Sequence, residues 1–534
     1  MSQSLIALIY ACFACGLGWG VLIVAGRHLL PEGDLPKLLG GWFALTALLF
    51  LLPSGAMFLL MAALVVLALR ASGLDPFSAW LFFIVAIPTG GLRLEGLPFG
   101  INYLFTFTFA ILLALIVGIP LLFERGRRVQ GSGAAPIDVL FGIGAILMIL
   151  LSARAANLTT WMRDAFVLVV TLVVPYVAVT RRLRTIEDVD RAVRLLVCSY
   201  VVISTVGLVS GLVGWSIYST PEQRLFETRG TAFVFRAGLT RTGGTLGSAP
   251  IAFGTLMAVG AALLLGLRGR FEERWRFAAL LGACLVGLVA SVSRGPMLGF
   301  ALSLLVFQFT QPNPMRNVVR LGLVAPLVVL PFVLFTSTGR DMLTMLPFIG
   351  SGEEGSVSYR QDLLANGAKV VMRYPLFGSP TFREEPEMQA MIQGQGIIDI
   401  VNAYLGWALE YGLLTAVPFT LAVVLSGVLT FRTVRRMKGD DPAVVRWRRL
   451  GGALFAAQVG FAFTIGTVSL VSLLPVMTWV YVGLQVAYVR TANAWLAERA
   501  AAPEPVPNSP PEAAARTALT ATAPAGAPSR SPRR

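Results

Sequence analysis

The sequence of 534 residues is 56% hydrophobic and only 13% charged, which excludes an ordinary soluble domain and indicates an integral membrane protein. Its formal net charge of +15 does not imply a nucleic-acid partner, because short cytoplasmic loops of membrane proteins collect lysine and arginine. Apolar segments recur from the N-terminus to about residue 490. They predict one polytopic, all-α membrane domain rather than a soluble domain with an anchor.

The apolar segments predict about 12 to 15 transmembrane helices in a helical bundle. They lie near residues 3–25, 38–52, 56–70, 76–89, 100–123, 137–152, 164–180, 193–214, 249–267, 276–293, 296–310, 318–336, 400–430, 450–470 and 473–491. The short segments on either side of "PSG" at 53–55 predict a broken helix or a hairpin.

Five basic connections fall on alternate sides of these segments in consistent phase, namely ERGRRVQGSG, RRLRTIEDVDRAVR, RGRFEERWR, QPNPMRNVVR and RTVRRMKGDDPAVVRWRR. We predict that they are the inside loops, which places residues 215–248 and the large helical loop 337–399 outside. The chain divides into N-terminal helices (1–234), a core (235–430) and C-terminal helices (431–491). Residues 492–534 are rich in Pro, Ala and Ser and predict a disordered inside tail.

The first outside loop ends in RTGGTLGSAPIAFG, where Arg241 is followed by Gly243 and Gly244. The helix that begins near Ser248 and Pro250 presents N–H groups and a positive dipole end, which favour an anion. The glycines allow backbone amides to approach a phosphate closely. An ordinary glycine-rich turn is the alternative interpretation.

Two more arginines are predicted on the outer face. On a helical wheel of SYRQDLLANGAKVVMRYPLFGSP, Arg360 falls on the apolar side near Leu364 and Val371, which favours an anionic ligand over a buried ion pair. Arg294 and Ser293 lie in the tight polar turn of SVSRGPMLGF, where snorkelling to outer headgroups is the alternative. With Arg241, these arginines predict a diphosphate clamp, because guanidinium pairs bidentately with phosphate.

The segment DIVNAYLGWALEYGLL predicts a polar stripe along one helix, made of Asp399, Asn402, Gly406 and Glu410. A neighbouring aromatic stripe, suited to stacking on sugar rings or to an interfacial belt, consists of Tyr404, Trp407 and Tyr411. By the predicted boundaries Glu410 lies about a turn and a half inside the membrane, which indicates a functional carboxylate.

These motifs, in this order and on this side, resemble the O-antigen ligase and O-antigen polymerase superfamily over about residues 235–430. The resemblance implies an inner-membrane glycosyltransferase that takes glycan from an undecaprenyl diphosphate carrier on the periplasmic face. It passes the glycan to lipid A core or to another growing chain, without nucleotide sugar, metal or other cofactor. The resemblance assigns the leaving diphosphate to Arg241, Arg294 and Arg360.

The sequence departs from the family at the histidine thought to activate the acceptor hydroxyl, which is Val401 here. The one histidine of the chain, His28, is predicted inside. Either Glu410 or Asp399 replaces it as general base, or base catalysis contributes little and the arginines act by stabilising the leaving diphosphate. This departure favours a polymerase of exopolysaccharide or capsule repeat units over a lipid A core ligase.

Two other classes remain open: a flippase or transporter of lipid-linked oligosaccharide, and a non-catalytic assembly component that binds the carrier. The charges cluster at one face and the two halves differ, which disfavours a transporter. Sugar, linkage, oligomeric state and any partner that sets chain length are open too.

Overall fold

A computed structural model describes residues 3–88, 90–95, 103–123, 133–154, 157–226, 235–236, 239–336, 339–340, 354–393 and 396–501. Apart from two short hairpins, the described chain is built of α-helices, which confirms the predicted all-α membrane fold. Seven of the described helices are long and apolar enough to cross a membrane. Most of the first basic connection lies outside the described residues, and so does the predicted disordered tail beyond residue 501. Residues 492–501, which the sequence assigned to that tail, are helical instead.

The helices of the N-terminal half are α1 (Gln3–Leu29), α2 (Asp34–Leu51), α3 (Gly55–Ala71), α4 (Pro76–Phe83), α5 (Phe109–Phe123), α6 (Ala135–Arg154), α7 (Leu158–Arg182), α8 (Ile186–Val213) and α9 (Ser219–Phe226). The strands are β1 (Gly91–Glu95) with β2 (Tyr103–Thr108), and β3 (Phe235–Arg236) with β4 (Leu239–Thr240), each pair antiparallel.

The remaining helices are α10 (Pro250–Arg270), α11 (Arg274–Ala290), α12 (Arg294–Phe309), α13 (Pro314–Phe335), α14 (Glu354–Arg373), α15 (Pro386–Gln389), α16 (Ala403–Tyr411), α17 (Leu413–Arg436), α18 (Pro442–Ile465) and α19 (Leu474–Ala501).

Two of the predicted spans, 76–89 and 100–123, are helical over only part of their length. The span 76–89 is helical only to Phe83, and the span 100–123 is helical only from Phe109. The segment before α5 alternates aromatic residues with threonine in YLFTFT, and this period of two suits a strand. It therefore pairs with β1 rather than extending the helix.

The predicted span 400–430 is also wrong, because it is two helices with a break at Gly412. Gly412 has φ 74° and ψ 176°, a backbone conformation that favours glycine. A Cβ atom there would lie 2.3 Å from the Leu376 carbonyl oxygen, where the chain leaving α14 crosses the break. Glu410, at the end of the short α16, is therefore exposed at this break rather than buried inside a long span.

The basic connections meet at one end of the bundle. The carboxylate of Asp190, which is buried, accepts hydrogen bonds from Arg194, Arg270 and Arg446. These arginines come from three of the five connections, which agrees with their predicted common side. The ring of His28 packs edge-on against Phe271, 4.8 Å between centroids, so the histidine lies at this same end.

The other end of the bundle carries the turn before α10. Helix α8 has 28 residues and so spans roughly 40 Å from the Asp190 end to Gly214, whose carbonyl oxygen accepts from the Thr240 hydroxyl. Helices α12 and α18 approach each other closely through Gly299 and Gly460; a Cβ atom on Gly460 would lie 2.0 Å from the Ser303 hydroxyl oxygen. Such small-residue contacts fix the start of α12 beside the end of α18.

Candidate active site

Two adjoining cavities lie around Glu410, and we call them the larger and the smaller cavity. The larger has a volume of about 630 Å³ and the smaller about 360 Å³. Both are within the range of sites that bind small molecules. Four residues line both cavities: Leu168, Thr171, Glu410 and Tyr411.

The smaller cavity contains the polar stripe predicted from the sequence. Its lining includes all four members of that stripe, Asp399, Asn402, Gly406 and Glu410. Only the last two lie within a helix, because α16 begins at Ala403 and the Asn402 side chain caps it by accepting from Leu405 N–H at 3.1 Å. The stripe is therefore a helix face extended by the chain that enters it.

Asp399 is held from two directions. Its Oδ1 accepts a hydrogen bond from the Ser469 hydroxyl, in the connection between α18 and α19. The Tyr359 hydroxyl of α14 donates to the Asp399 carbonyl oxygen at 3.0 Å and accepts from its N–H at 3.2 Å. These contacts tie α14, which belongs to the large loop predicted to lie outside, to the smaller cavity.

The aromatic stripe packs mostly into the protein. Trp407 lines the smaller cavity but is buried, with its ring 5.5 Å from Phe419 and 6.4 Å from Trp479. The Tyr404 hydroxyl donates to the Ala462 carbonyl oxygen at 3.0 Å. Tyr411 lies between the two cavities, where burial and the carboxylate of Glu410 raise the pKa of its hydroxyl.

Arg241 and Ser293 form a direct contact at the start of α12. The Arg241 Nη2 donates to the Ser293 hydroxyl at 3.0 Å, and its Nε lies 3.5 Å from the Ser291 carbonyl oxygen. Arg294, the first residue of α12, is half-buried beside this contact. The structure thus brings two of the three predicted arginines to one turn.

The residue that follows this arginine–serine turn (Arg241 with 291–294) approaches the connection between α18 and α19, which also lines the smaller cavity. A Cβ atom on Gly295 would lie 3.1 Å from the Thr467 hydroxyl oxygen. Two residues further, Ser469 lines the smaller cavity and donates to Asp399. The third arginine, Arg360, is exposed on α14 next to Tyr359, which also contacts Asp399.

Gly243 and Gly244 are buried in a tight turn. The Gly244 N–H donates to the Thr242 hydroxyl at 3.1 Å, and Gly244 has φ 59°. A Cβ atom on Gly243 would lie 2.3 Å from the Gly247 carbonyl oxygen. Packing is the visible reason for glycine here, and in this structure these two residues contact protein rather than either cavity.

A carboxylate occupies the helix start that the sequence analysis assigned to an anion. The Ser248 N–H, just before α10, donates to Glu222 Oε2 at 3.2 Å. Glu222 lies on the short α9 and is buried, and this burial raises the pKa of its carboxyl to about 7. The sequence offered no signal for this contact, because 26 residues separate the partners.

We expect replacement of Glu222 by glutamine to change how stability depends on pH. A carboxyl with a raised pKa in the folded state contributes stability below its unfolded pKa, and this contribution is lost as pH rises through about 7. At about 1.4 kcal/mol per pKa unit, the loss is on the order of 3 kcal/mol. Glutamine keeps the acceptor for Ser248 and does not ionise.

Thermal unfolding of both proteins in detergent between pH 5 and pH 8 checks this. The wild type should lose stability relative to E222Q as the pH rises. Parallel curves would show that the Glu222 carboxyl has the same pKa in both states.

Arg154 is a residue of the site that the sequence analysis missed. At the end of α6, it donates from Nη1 to the carbonyl oxygens of Phe377 and Gly378 at 2.9 and 3.1 Å, and from Nη2 to that of Glu410 at 2.7 Å. It also lines the larger cavity. The sequence offered one indication of a role for Arg154, namely a charged residue near the end of an apolar span. Snorkelling of the side chain to the membrane surface explains that position equally well.

We expect R154M to loosen the chain crossing beside Glu410. Each hydrogen bond from a charged donor contributes about 1.5–3 kcal/mol, and methionine keeps the apolar stem while removing all of them. Limited proteolysis around residues 374–413 should become faster and thermal stability should fall. R499M is the matched control, because Arg499 forms an exposed ion pair with Asp441 at 2.7 Å and its loss should cost little. Equal effects of the two substitutions would contradict the assignment.

Among the residues that the structure describes, no group of three or more His, Cys, Asp or Glu side chains could hold a metal ion. The charged groups near the cavities are instead carboxylates and guanidinium groups, namely Asp164, Asp399, Glu410, Arg154, Arg163 and Arg383. Such groups suit proton transfer and the binding of an anion.

Fold and site together define a multi-pass, all-α membrane protein with polar cavities at one end of its helices. Residues 277–420 match the family model described as O-antigen ligase. This match confirms, over this part of the chain, the resemblance to the O-antigen ligase and O-antigen polymerase superfamily. The match supports a membrane glycan ligase or polymerase with lipid-linked glycan substrates. No curated protein matches the chain.

The matched segment covers only part of the candidate site. It contains Ser293, Arg294, Arg360 and the whole polar stripe. Arg241 and Arg154 precede it, and the structure brings them to the same end of the bundle by contacts with residues inside the segment.

Proposed function

We propose that this protein is an inner-membrane glycosyltransferase that takes glycan from undecaprenyl diphosphate on the periplasmic face and polymerises exopolysaccharide or O-antigen repeat units. The observation that carries the proposal is the position of the polar stripe, which lies in a segment that matches the O-antigen ligase family. Its carboxylates line the smaller cavity together with Ser469, and the connection that holds Ser469 also approaches the start of α12 beside the arginine–serine turn. Anion binding and proton transfer are thus available side by side.

The proposed orientation follows from the two ends of the bundle. The arginine-rich connections gather around Asp190, and the positive-inside rule assigns that end to the cytoplasm. Both cavities and the arginine–serine turn then face the periplasm, where lipid-linked glycans are polymerised or ligated in this superfamily.

The chemistry is a single displacement at the first carbon of the donor glycan. The acceptor hydroxyl oxygen forms a bond to this carbon while the bond from the carbon to the diphosphate oxygen breaks. The electron pair of the broken bond leaves with the carrier diphosphate, and the acceptor proton passes to a carboxylate and then to solvent. Arg241, Arg294 and Arg360 stabilise the charge on the leaving group, and Glu410 or Asp399 takes the proton.

A second candidate is an O-antigen ligase that uses lipid A core as acceptor, which the description of the matched family favours. The two candidates share the donor, the leaving group and the arginines. They differ in the acceptor, which is the end of another glycan for the polymerase and the core oligosaccharide for the ligase.

Reconstitution tests the proposal directly. The purified protein is placed in liposomes with undecaprenyl diphosphate repeat units extracted from its own host, and gels report both glycan length and free carrier diphosphate. Ladders of longer glycan together with carrier release are expected. Movement of the lipid-linked glycan across the bilayer with no release would instead identify a flippase. Transfer only when lipid A core is added would identify the ligase.

A further inference from the structure

We infer that the larger cavity binds the acceptor glycan, and that the smaller cavity binds the first sugars of the donor. This inference rests on the proposed function and assigns its two substrates to separate places. No sequence motif pointed to the larger cavity, because its walls come from distant parts of the chain. They are formed by β2, α5, the end of α6, α7, the C-terminal end of α16 and the start of α19.

The arginine–serine turn decides which cavity holds the donor. In the donor, the reacting carbon is bonded directly to the diphosphate, so the first sugar lies next to the anion. Gly295, the residue after the turn, approaches Thr467 in the connection between α18 and α19, and the same connection supplies Ser469 to the smaller cavity. The first donor sugar therefore fits the smaller cavity, with its diphosphate toward Arg241.

The displacement decides where the acceptor must lie. The acceptor oxygen attacks the reacting carbon on the side opposite the departing diphosphate. Glu410 and Tyr411 separate the two cavities, so a hydroxyl group that approaches from the larger cavity passes the Glu410 carboxylate on its way to the donor. A base in this position can accept the proton of that hydroxyl.

The lining of the larger cavity suits a hydroxyl-rich sugar chain. Apolar side chains line it together with polar groups that can accept or donate hydrogen bonds, namely Thr106, Thr108, Ser152, Arg163, Asp164 and Ser472. The Asp164 side chain on α7 is exposed to the cavity, and carboxylates are strong acceptors for sugar hydroxyls. At about 630 Å³ the cavity has room for more than one sugar ring.

Filling each cavity separately tests the assignment. Ala110 lines the larger cavity and not the smaller, whereas Val471 lines the smaller and not the larger. A110F and V471F therefore insert the same side chain on opposite sides of Glu410. D164N is an isosteric third variant that removes a charge from the larger cavity without changing its shape.

The assay varies one substrate at a time, with lipid-linked polymer as donor and a single lipid-linked repeat unit as acceptor. We expect A110F to raise the KM for the acceptor on the order of tenfold and to leave that for the donor unchanged, with D164N acting in the same direction. V471F should raise the KM for the donor and leave the KM for the acceptor unchanged. Thermal unfolding of each variant shows whether it is folded. If A110F is not folded, the KM values of the isosteric variant D164N test the assignment of the larger cavity.

Two failures are distinguishable. If the wild type lengthens no glycan and releases no carrier, the proposed function itself fails. If the wild type is active but A110F and D164N change the KM of the donor as much as that of the acceptor, the assignment of the larger cavity is overturned.

Discussion

Replacement of Arg294 or Arg360 by alanine is expected to abolish the glycan product while leaving the amount of folded protein near normal. In a proposed mechanism with no metal, guanidinium groups are the main stabilisers of the departing diphosphate, and loss of one preorganised donor typically lowers the rate by about 10²–10³. Lysine should rescue either position poorly, because an ammonium group cannot form the bidentate contact of guanidinium with phosphate. Carrier release in proteoliposomes measures the effect.

Arg373 provides the matched control for Arg360, since both belong to α14. Arg373 is exposed, pairs with Glu387 at 2.6 Å and lines neither cavity. R373A should retain transfer close to that of the wild type. Normal product from R294A or R360A would contradict the diphosphate clamp, and so would equal losses in R360A and R373A.

Glutamine at position 410 is expected to remove turnover and keep binding of the lipid-linked donor. Glu410 is the one carboxylate that lines both cavities among the residues described, and general base catalysis contributes about 10²–10⁴ to a rate. E410Q keeps the size of the side chain, and the Arg154 contact goes to the backbone carbonyl oxygen, so the crossing should stay intact. Binding of fluorescent lipid-linked glycan and turnover are measured on the same preparation.

Asp399 is the comparison for Glu410. Its carboxylate already accepts from the Ser469 hydroxyl, which favours a role in holding the connection between α18 and α19. D399N should therefore cost less turnover than E410Q. A larger loss of turnover in D399N than in E410Q would identify Asp399 as the general base. Full activity in both variants would show that neither carboxylate is needed as a base and that the arginines are the main catalytic groups.

The sequence predicted the features that depend on local pattern. Hydropathy located most helices, because each span is continuous in the chain, and the phase of the arginine-rich connections predicted the common end that Asp190 now marks. The polar stripe was predicted in part for the same reason, since helical periodicity places Gly406 and Glu410 on one face of α16. Asp399 and Asn402 lie before that helix and reach the same cavity through the chain that enters it.

What the sequence did not predict depends on contacts between distant residues. Arg154 lies 256 positions before Glu410 and donates there to a backbone carbonyl oxygen. Every residue has such an oxygen, so the residue types around Glu410 do not predict the contact. The break at Gly412 likewise depends on the close approach of Leu376. A hydropathy profile contains no information about such a contact between distant residues. The strand before α5 was overlooked because its aromatic residues also raise hydropathy.

The crossing beside Gly412 also limits how the outer loop can move. The Ser379 N–H donates to the Leu409 carbonyl oxygen at 2.8 Å, and the Leu413 N–H donates to that of Pro375 at the same distance. These bonds fasten the end of the loop to both sides of the break, and Arg154 bonds to the same stretch. Any displacement of this end of the loop must therefore move Glu410 with it or break these bonds. If loading of the proposed substrate moves this end of the loop, the Glu410 carboxylate is therefore repositioned in the same movement.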